Sequence, residues 1–333
     1  MIDDSLCYIV LAAYVMDMML GDPIWLPHPV IWMGNAISFF EAPFRNLIAK
    51  TGSNTPPLES KLFIKNDFYA GLLFALFLIF STWVTAFAAV KLSCIIHPMA
   101  GIVVQVILMF FCLSARTLER AASDVKNAIE NGGIDEGREK VSMIVGREVK
   151  YLNETGVVKA TVETVAENFV DGFLSPLFFA LVGGVPLAVA YKMVNTLDSM
   201  VGYQNEKYIL FGRASARIDD AANFIPARIS VIIISIAAAV LSLKRGKLAF
   251  KTAINEGMEH KSPNSGYPEA AFAGALQVKL GGPNYYHGTL VKKPYIGKSF
   301  PDPGREKIKM ACDLMLLSSL IVVIIIFITG NTL

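Results

Sequence analysis

Charged residues are scarce in this chain. They make up 17% of its 333 residues, whereas hydrophobic residues make up 54%. Soluble domains carry about 25% charged and about 45–50% apolar residues, so this composition excludes an ordinary soluble domain and indicates a polytopic membrane protein. The formal net charge is only +2, and nothing in the sequence resembles a basic nucleic-acid-binding patch. We therefore expect a lipid bilayer, and no nucleic acid, among the partners.

Cysteine is also rare, and its pattern excludes two kinds of site. The four cysteines lie singly in or beside apolar segments, without CxxC spacing, which argues against a zinc site or a disulfide framework. We interpret them as small buried hydrophobic residues. The sequence also lacks a GxxxxGK[ST] motif, so any nucleotide is bound without a P-loop.

Six apolar segments predict the membrane architecture. They cover residues 6–20, 68–90, 101–115, 174–194, 225–243 and 311–328. The first follows an acidic N-terminus that does not resemble a signal peptide, is short for a span, and contains Asp17, which should face protein or water. The fourth is interrupted by Gly183, Gly184 and Pro186. We predict one all-α integral-membrane domain over 1–333, with about five to six membrane helices, some short or interrupted.

Two polar regions separate these segments. Residues 116–173 are predicted to form a polar helical insertion, and residues 244–310 a polar loop region between the last two spans. The positive-inside rule places both in the cytoplasm, where amphipathic helices and Gly/Pro-rich loops would form a site. Residues 195–224 then fall formally on the opposite side. Two alternatives stay open: the segment after Leu174 is re-entrant, or residues 195–224 fold back into the protein.

A stripe of carboxylates is the strongest candidate site. In a helix, Glu163, Glu167 and Asp171 lie at i, i+4 and i+8 on one face. Like charges at this spacing repel each other, so the stripe indicates a metal ion or a cationic group next to an apolar segment. The alternative is a solvated helix face that pairs with Lys159 or with arginines elsewhere.

A second helix carries charges of both signs. Arg213 and Arg217 share one face, which Asp220 and Asn223 continue. Two guanidinium groups on one face suit a phosphate or a carboxylate. The alternative is a set of Arg–Asp pairs within the helix.

Two further segments are rich in proline and glycine. Three prolines between Pro23 and Pro29 make a rigid segment that contains His28, with an interfacial loop anchored by Trp25 and Trp32 as the alternative. Residues 262–269 and 280–284 form loops whose backbone amides can approach an anion closely.

Taken together, these motifs resemble the CobD/CbiB family of adenosylcobinamide-phosphate synthases. The resemblance is carried, in order, by DMMLGDPIWLPHP (17–29), VETVAENFVDG (162–172), VNTLDSMVGY (194–203), FGRASARIDD (211–220), PNSGYPEA (263–270) and LGGPN (280–284). Each motif alone is weak, but their order and spacing are specific. The polar loop at 46–66 and the hydrophobic spans contribute little.

This resemblance implies an ATP-dependent amide ligase in the cytoplasmic membrane. The family attaches aminopropanol, as the free alcohol or its O-phosphate, to the remaining propionate carboxylate of adenosylcobyric acid. The implied ligands are ATP, magnesium and the corrinoid substrate, and other cobalamin-pathway enzymes are candidate partners. The rival classes are a transporter for a corrinoid or another anionic solute and a noncatalytic membrane scaffold for pathway enzymes.

The implied chemistry assigns roles to the carboxylates. Magnesium prefers one or two carboxylates together with phosphate oxygens and water, and we assign it to Glu163, Glu167 and Asp171. The attacking amine must lose a proton, and the candidate catalytic acceptors are Asp198, Asp219 and Asp220.

The binding roles fall to cationic and small polar side chains. Arg217, also counted as catalytic, and Arg213 are the main candidates for phosphate or propionate, with Arg147 a weaker third. Asn264, Ser265, Gly266 and Glu269 are assigned to a phosphate- or amide-binding loop. The other predicted binding residues are Asp22 and His28, on the corrinoid side, and Asn168, Asn195 and Ser215.

Overall fold

The computed structural model describes residues 4–23, 28–49, 61–203, 205–286 and 289–332. The α-helices are α1 (Asp4–Leu20), α2 (Pro29–Ala49), α3 (Lys61–Ile96), α4 (Pro98–Phe110), α5 (Ala115–Asn131), α6 (Ile134–Ser142), α7 (Glu154–Phe169), α8 (Ser175–Val201), α9 (Arg213–Leu241), α10 (Leu243–Glu256), α11 (Gly266–Leu276) and α12 (Glu306–Thr332). A π-helical turn (Val170–Leu174) joins α7 to α8, and a 3-10 turn (Gly257–Glu259) follows α10. The short strands β1 (Leu280–Gly281), β2 (Asn284–Tyr286), β3 (Thr289–Val291) and β4 (Tyr295–Ile296) form the antiparallel pairs β1–β4 and β2–β3.

The predicted all-α membrane architecture is confirmed. Among the described residues, five segments are long and apolar enough to cross a membrane: Asn66–Ile96, Pro98–Asn131, Glu154–Val201, Arg213–Leu241 and Glu306–Thr332. Ser5–Leu20 is a shorter apolar helix, as expected for the first apolar segment.

The acidic residue inside this first helix faces protein, as predicted. Asp17 is fully buried. Its Oδ2 accepts hydrogen bonds from the backbone amides of Ala115, at 3.1 Å, and Arg116, at 3.3 Å. These amides belong to the first turn of α5 and have no partner within that helix, so Asp17 caps α5 and ties it to α1.

The two polar regions contain more buried structure than their composition indicates. α7 is buried on nearly every side and packs against α5, α11 and α12, so residues 116–173 are not a uniformly polar insertion. Residues 244–310 are not only loops, because they include α10 and α11, which pack against each other and against α9. The glycines and prolines around α11 favour a loop, but its small side chains allow close helix packing.

The segment formed by α7, the π-helical turn and α8 doubles back on itself. The hydroxyls of Ser175 and Tyr191 both donate to Oδ1 of Asn223, at 2.6 and 2.8 Å. A straight helix would separate residues 175 and 191 by about 24 Å, too far for both to reach one atom. The segment is therefore a helical hairpin, which is the geometry that the re-entrant alternative requires.

Two glycines make the turn of this hairpin. Gly183 (φ −147°, ψ 24°) and Gly184 (φ 75°, ψ 176°) leave the helical conformation in the middle of α8. The second conformation is essentially restricted to glycine. Phe179 and Tyr191, on the two arms, stack with ring centroids 5.0 Å apart. The predicted interruption is thus confirmed, and it returns the chain after residue 184 toward α7.

Replacing Gly184 with alanine should destabilise the protein, because a Cβ is strained at this φ and ψ. We expect the free energy of unfolding to fall by about 1–3 kcal/mol, measured as a lower midpoint of thermal unfolding in detergent. The matched control is Gly146→Ala, since no heavy atom lies within 4 Å of a Cβ added there. Equal midpoints for the two variants would contradict this account of the turn.

Candidate active site

Five carboxylates line one cavity of about 290 Å³, here called the acidic cavity. Glu167 lies on α7, Asp171 on the π-helical turn, Asp198 near the end of α8, and Asp219 and Asp220 on α9. All five belong to the predicted metal-binding and catalytic residues. The hairpin brings them together, because it returns the second half of α8 and the start of α9 to the π-helical turn.

The π-helical turn positions Asp171. Such turns widen a helix locally and are frequent at functional sites. The carbonyl of Gly172, inside the turn, accepts hydrogen bonds from the backbone amide and the hydroxyl of Ser114, at 3.0 and 3.1 Å. A Cβ on Gly172 would collide with the Ser114 hydroxyl, so glycine is required for this close approach of the chain before α5.

Asn223 orients Asp219 at the wall of the acidic cavity. Its Oδ1 accepts the two hydroxyls of the hairpin, and its Nδ2 donates to Oδ2 of Asp219 at 3.0 Å. The other carboxylate oxygen, Oδ1 of Asp219, is buried and has no hydrogen-bond partner among the described residues. Buried polar atoms normally have a partner, so this oxygen is available to a cation or to a donor group of a ligand.

Two predicted binding residues contact the other carboxylates. Nδ2 of Asn195 lies 3.4 Å from Oδ2 of Asp171, and the hydroxyl of Ser265 donates to Oε1 of Glu167 at 2.8 Å. Sequence spacing did not predict either contact, because the partners are 24 and 98 residues apart.

The loop before α11 closes the acidic cavity and is held by an arginine that sequence analysis missed. Arg228 donates to Oδ1 of Asn264 at 2.8 Å and to the carbonyl of Pro263 at 3.1 Å. Its guanidinium carbon also lies 4.3 Å from the ring centroid of Tyr267. Lys261 lines the cavity as well. The signal for Arg228 was a charge inside the apolar segment 225–243, which requires a partner.

Glu163 is separated from the other two carboxylates of the stripe. It accepts a hydrogen bond from Nη2 of Arg147 at 2.6 Å and another from the backbone amide of Gly281 at 2.7 Å. It lines a neighbouring cavity of about 360 Å³, together with Arg147 and Lys159. The predicted three-carboxylate metal set is therefore divided. Glu163 is only 5% exposed, so its helix face is not solvated, but its pairing with an arginine elsewhere in the chain is the one that this alternative predicted.

Glu269 is buried on α11 rather than exposed in a loop. Burial raises the pKa of its carboxyl well above the ordinary value, and the carboxylates of Glu163 and Glu167 raise it further. His260 lies beside it, with Nε2 3.9 Å from Oε1 of Glu269, and burial lowers the pKa of His260. Both shifts favour the neutral forms of the two side chains.

The remaining predicted residues of α7, α9 and the loop do not line the acidic cavity. Arg213 and Arg217 are exposed on α9 and are not among the residues that line the cavity. Ser215 is buried, and its hydroxyl has no partner among the described residues. Asn168 donates to the carbonyl of Thr164 in its own helix. Gly266 begins α11, where an added Cβ would collide with the Gly257 carbonyl.

Asp22 and His28 line a second, larger cavity of about 660 Å³, here called the mixed cavity. Nε2 of His28 lies 3.5 Å from Oδ1 of Asp22, and Nδ1 of His28 accepts the backbone amide of Val30 at 3.2 Å. Trp32, one of the proposed interfacial anchors, is 62% exposed, whereas Trp25 lies outside the described residues. Lys192 and Asn195 also line this cavity.

The acidic cavity fits a magnesium ion that shares its coordination with phosphate. Among the described residues, no three His, Cys, Asp or Glu side chains are arranged to hold a metal by themselves. Magnesium usually needs only one or two carboxylates, because water and substrate phosphates complete its octahedron. Five carboxylates and the unpartnered Oδ1 of Asp219 meet that requirement.

The fold and the site define a class: a polytopic all-α membrane protein with a carboxylate-lined cavity. The family model described as CobD/Cbib protein matches residues 10–315, and the chain belongs to this family, which acts in cobalamin biosynthesis. It is 45% identical to the cobalamin biosynthesis protein CobD of Geobacter metallireducens over 289 residues, 87% of this chain and 86% of the relative.

Other relatives agree with this assignment. The chain is 42% identical to the cobalamin biosynthesis protein CobD of Klebsiella pneumoniae and 41% identical to the cobalamin biosynthesis protein CbiB of Salmonella typhimurium. Each match covers 307 residues, 92% of both chains. No solved structure matches the chain. The resemblance noted from the motifs is confirmed at the level of the family.

The raised pKa of Glu269 predicts a pH dependence of stability. The folded protein holds a proton that the unfolded chain releases above a pKa of about 4.3. The contribution of Glu269 to stability is therefore present at low pH and is lost as the pH rises through the folded pKa. In the Glu269→Gln variant the side chain at this position does not titrate. The difference in free energy of unfolding, variant minus wild type, should therefore increase between about pH 5 and about pH 8.

Denaturation in detergent at several pH values measures this effect. Asp302→Asn is the control of opposite sign, because hydrogen bonds from Lys159 and Lys279 lower the pKa of Asp302. The half-exposed Asp302 should give only a small loss of stability at neutral pH. A constant difference between Glu269→Gln and wild type across this pH range would contradict the raised pKa.

Proposed function

We propose that this protein is an ATP-dependent amide ligase. It would join aminopropanol, or its O-phosphate, to the free propionate carboxylate of adenosylcobyric acid and form adenosylcobinamide or its phosphate. Membership in a cobalamin-biosynthesis family supports a corrinoid substrate. The observation that carries the chemistry is the acidic cavity, where five carboxylates face Lys261 and the polar loop before α11.

The charge of the acidic cavity supports a reaction that involves a metal ion and an amine. Five carboxylates alone repel both ATP and a propionate. Glu167, Asp171 and Asp219 are the residues placed to hold magnesium, which supplies charge neutralisation at the phosphates when bound. Magnesium uses at most two carboxylates in most such sites, so it would take two of these three candidates, and three of the five cavity carboxylates would remain to attract an ammonium group.

The opposite wall of the acidic cavity offers groups for an anion. Lys261 lines it, and the N-terminus of α11, at Gly266, carries the positive end of the helix dipole, whereas the Nδ2 donor of Asn264 is committed to the carbonyl of Asp220. Ser265 is committed to Glu167 and connects this wall to the carboxylates. We assign the phosphates of ATP to this wall.

The amine must lose a proton before it attacks the activated carboxylate. Asp198 and Asp220 line the acidic cavity and are the best-placed acceptors if Asp171 and Asp219 hold the ion. ATP first transfers its γ-phosphoryl or its adenylyl group to a propionate oxygen, which releases ADP or pyrophosphate. After one proton has passed from the ammonium to the carboxylate, the amine nitrogen attacks the carbonyl carbon and forms the C–N bond. The C–O bond to the phosphoryl or adenylyl group then breaks, phosphate or AMP leaves, and the second proton of the nitrogen is released to water. We place this site at the cytoplasmic side of the inner membrane, where the positive-inside rule puts the basic polar segments.

Substituting the carboxylates at the centre of the cavity tests the ligase. Asp171→Asn and Asp219→Asn should each lower kcat by about 100-fold or more, because each removes a charge from the reacting centre. Detergent-purified protein would be incubated with adenosylcobyric acid, ATP, magnesium and aminopropanol phosphate, and the amide product measured by mass spectrometry. The matched control is Asp124→Asn, since Asp124 is exposed on α5.

Two results would argue against the proposal. One is amide formation at the wild-type rate by both cavity variants. The other is the absence of amide and of nucleotide turnover with any amine from folded wild-type protein. In that second case, uptake of a corrinoid into proteoliposomes would favour a transporter.

A further inference from the structure

The ammonium of a lysine in the mixed cavity has no hydrogen-bond or ion-pair partner among the described residues. Lys192 is partly buried on α8 and lines this cavity. Its ammonium forms no ion pair and no hydrogen bond with any described side chain or backbone group, whereas its backbone carbonyl accepts the hydroxyl of Thr196. Withdrawing a cation from water without a partner is unfavourable. Such an arrangement favours the binding of an anion.

The walls of the mixed cavity indicate what kind of anion fits. Much of the lining is apolar, including Phe111, Leu113 and Met200. Polar side chains lie among these, and His28 already faces the carboxylate of Asp22 at 3.5 Å. Lys192 is therefore the principal positive charge offered by the described lining. A ligand that suits this cavity has an organic body and one anionic oxygen group.

The mixed cavity also adjoins the acidic cavity. Asn195 lines the mixed cavity, and its Nδ2 reaches Oδ2 of Asp171, which lines the acidic cavity. Lys192 and Asp171 are close enough to interact electrostatically. A ligand bound to Lys192 can therefore direct its other end past Asn195 toward the carboxylates. A positive end suits that direction, because five carboxylates lie there.

We infer that Lys192 binds the anionic group, a phosphate or a carboxylate, of a substrate whose reacting end points toward Asp171. The inference rests on the proposed function and adds a substrate-binding residue to it. A small amino-alcohol phosphate satisfies both ends, with its phosphate at Lys192 and its ammonium toward Asp171. The other source of the same chemistry is a carboxylate of the corrinoid acid.

Steady-state kinetics of Lys192→Gln separate the two sources. With a phosphate at Lys192, the KM for aminopropanol phosphate should rise about tenfold or more, the loss expected for one charge-assisted hydrogen bond, while the KM for aminopropanol stays unchanged. With a corrinoid carboxylate at Lys192, the KM for the corrinoid acid should rise by a similar factor with either amine. Lys192→Arg should restore most of the loss in both cases.

Lys126→Gln is the matched control, because Lys126 pairs with Glu130 on the surface of α5. Unchanged KM values for all three substrates in Lys192→Gln, as in this control, would overturn the inference.

A second measurement does not depend on the folding of any variant. In wild-type protein, mass spectrometry can follow acetylation of Lys192 with and without aminopropanol phosphate or the corrinoid acid.

Protection of Lys192 by one of these compounds, with Lys126 labelled equally in both samples, supports the inference. Equal labelling of Lys192 with and without each compound at saturating concentration overturns it. This measurement needs no catalysis. If wild-type protein forms no amide but Lys192 is protected, the proposed function fails and the binding site stands.

Discussion

Electrostatic repulsion among five carboxylates in one cavity is the constraint on which the architecture depends. They come from four consecutive helical elements, α7, the π-helical turn, α8 and α9: Glu167, Asp171, Asp198, Asp219 and Asp220. Charges of one sign gathered away from bulk water destabilise the fold unless their positions are held by other interactions. The surrounding structure supplies these interactions as hydrogen bonds and tight helix contacts. Proteins commonly accept such local cost where a ligand provides the opposite charge.

The hairpin formed by α7, the π-helical turn and α8 holds these carboxylates in position. Its turn relies on Gly184, whose backbone conformation other residues rarely adopt. Its arms are joined through Asn223, which accepts hydroxyls from both arms and also orients Asp219. One buried amide therefore connects the folding of the hairpin to the geometry of the acidic cavity. A change in the hairpin is therefore expected to alter the acidic cavity, and a change at Asn223 in the cavity is expected to destabilise the hairpin.

Charge is segregated between neighbouring cavities. The acidic cavity concentrates negative charge, whereas the mixed cavity offers Lys192 among apolar walls. Asn195 lies between them and contacts Asp171. This separation suits substrates that carry opposite charges at their two ends, because each end has a complementary environment. The phosphates of ATP, by contrast, are the groups that we assign to the side of the acidic cavity that carries Lys261.

Local patterns in the sequence predicted part of this structure correctly. Apolar run length predicted the membrane helices, and the glycine pair predicted the break in α8. The carboxylates of the acidic cavity were all identified, because acidic residues beside apolar segments are unusual. Arg228 was missed, although a charge inside an apolar segment is a comparable signal. The burial and raised pKa of Glu269 had no local signal, since they depend on packing against residues distant in sequence.

The sequence by itself therefore determined the class of protein, its family and the residue types of the site, because these follow from composition, run length and motif order. Tertiary structure alone decided which of those residues meet. It separated Glu163 from Glu167 through Arg147 and Gly281, and it left Arg213 and Arg217 exposed. The physical reason is that helical periodicity determines which residues share a face of a helix. What that face contacts depends on how helices that are distant in the sequence pack against it.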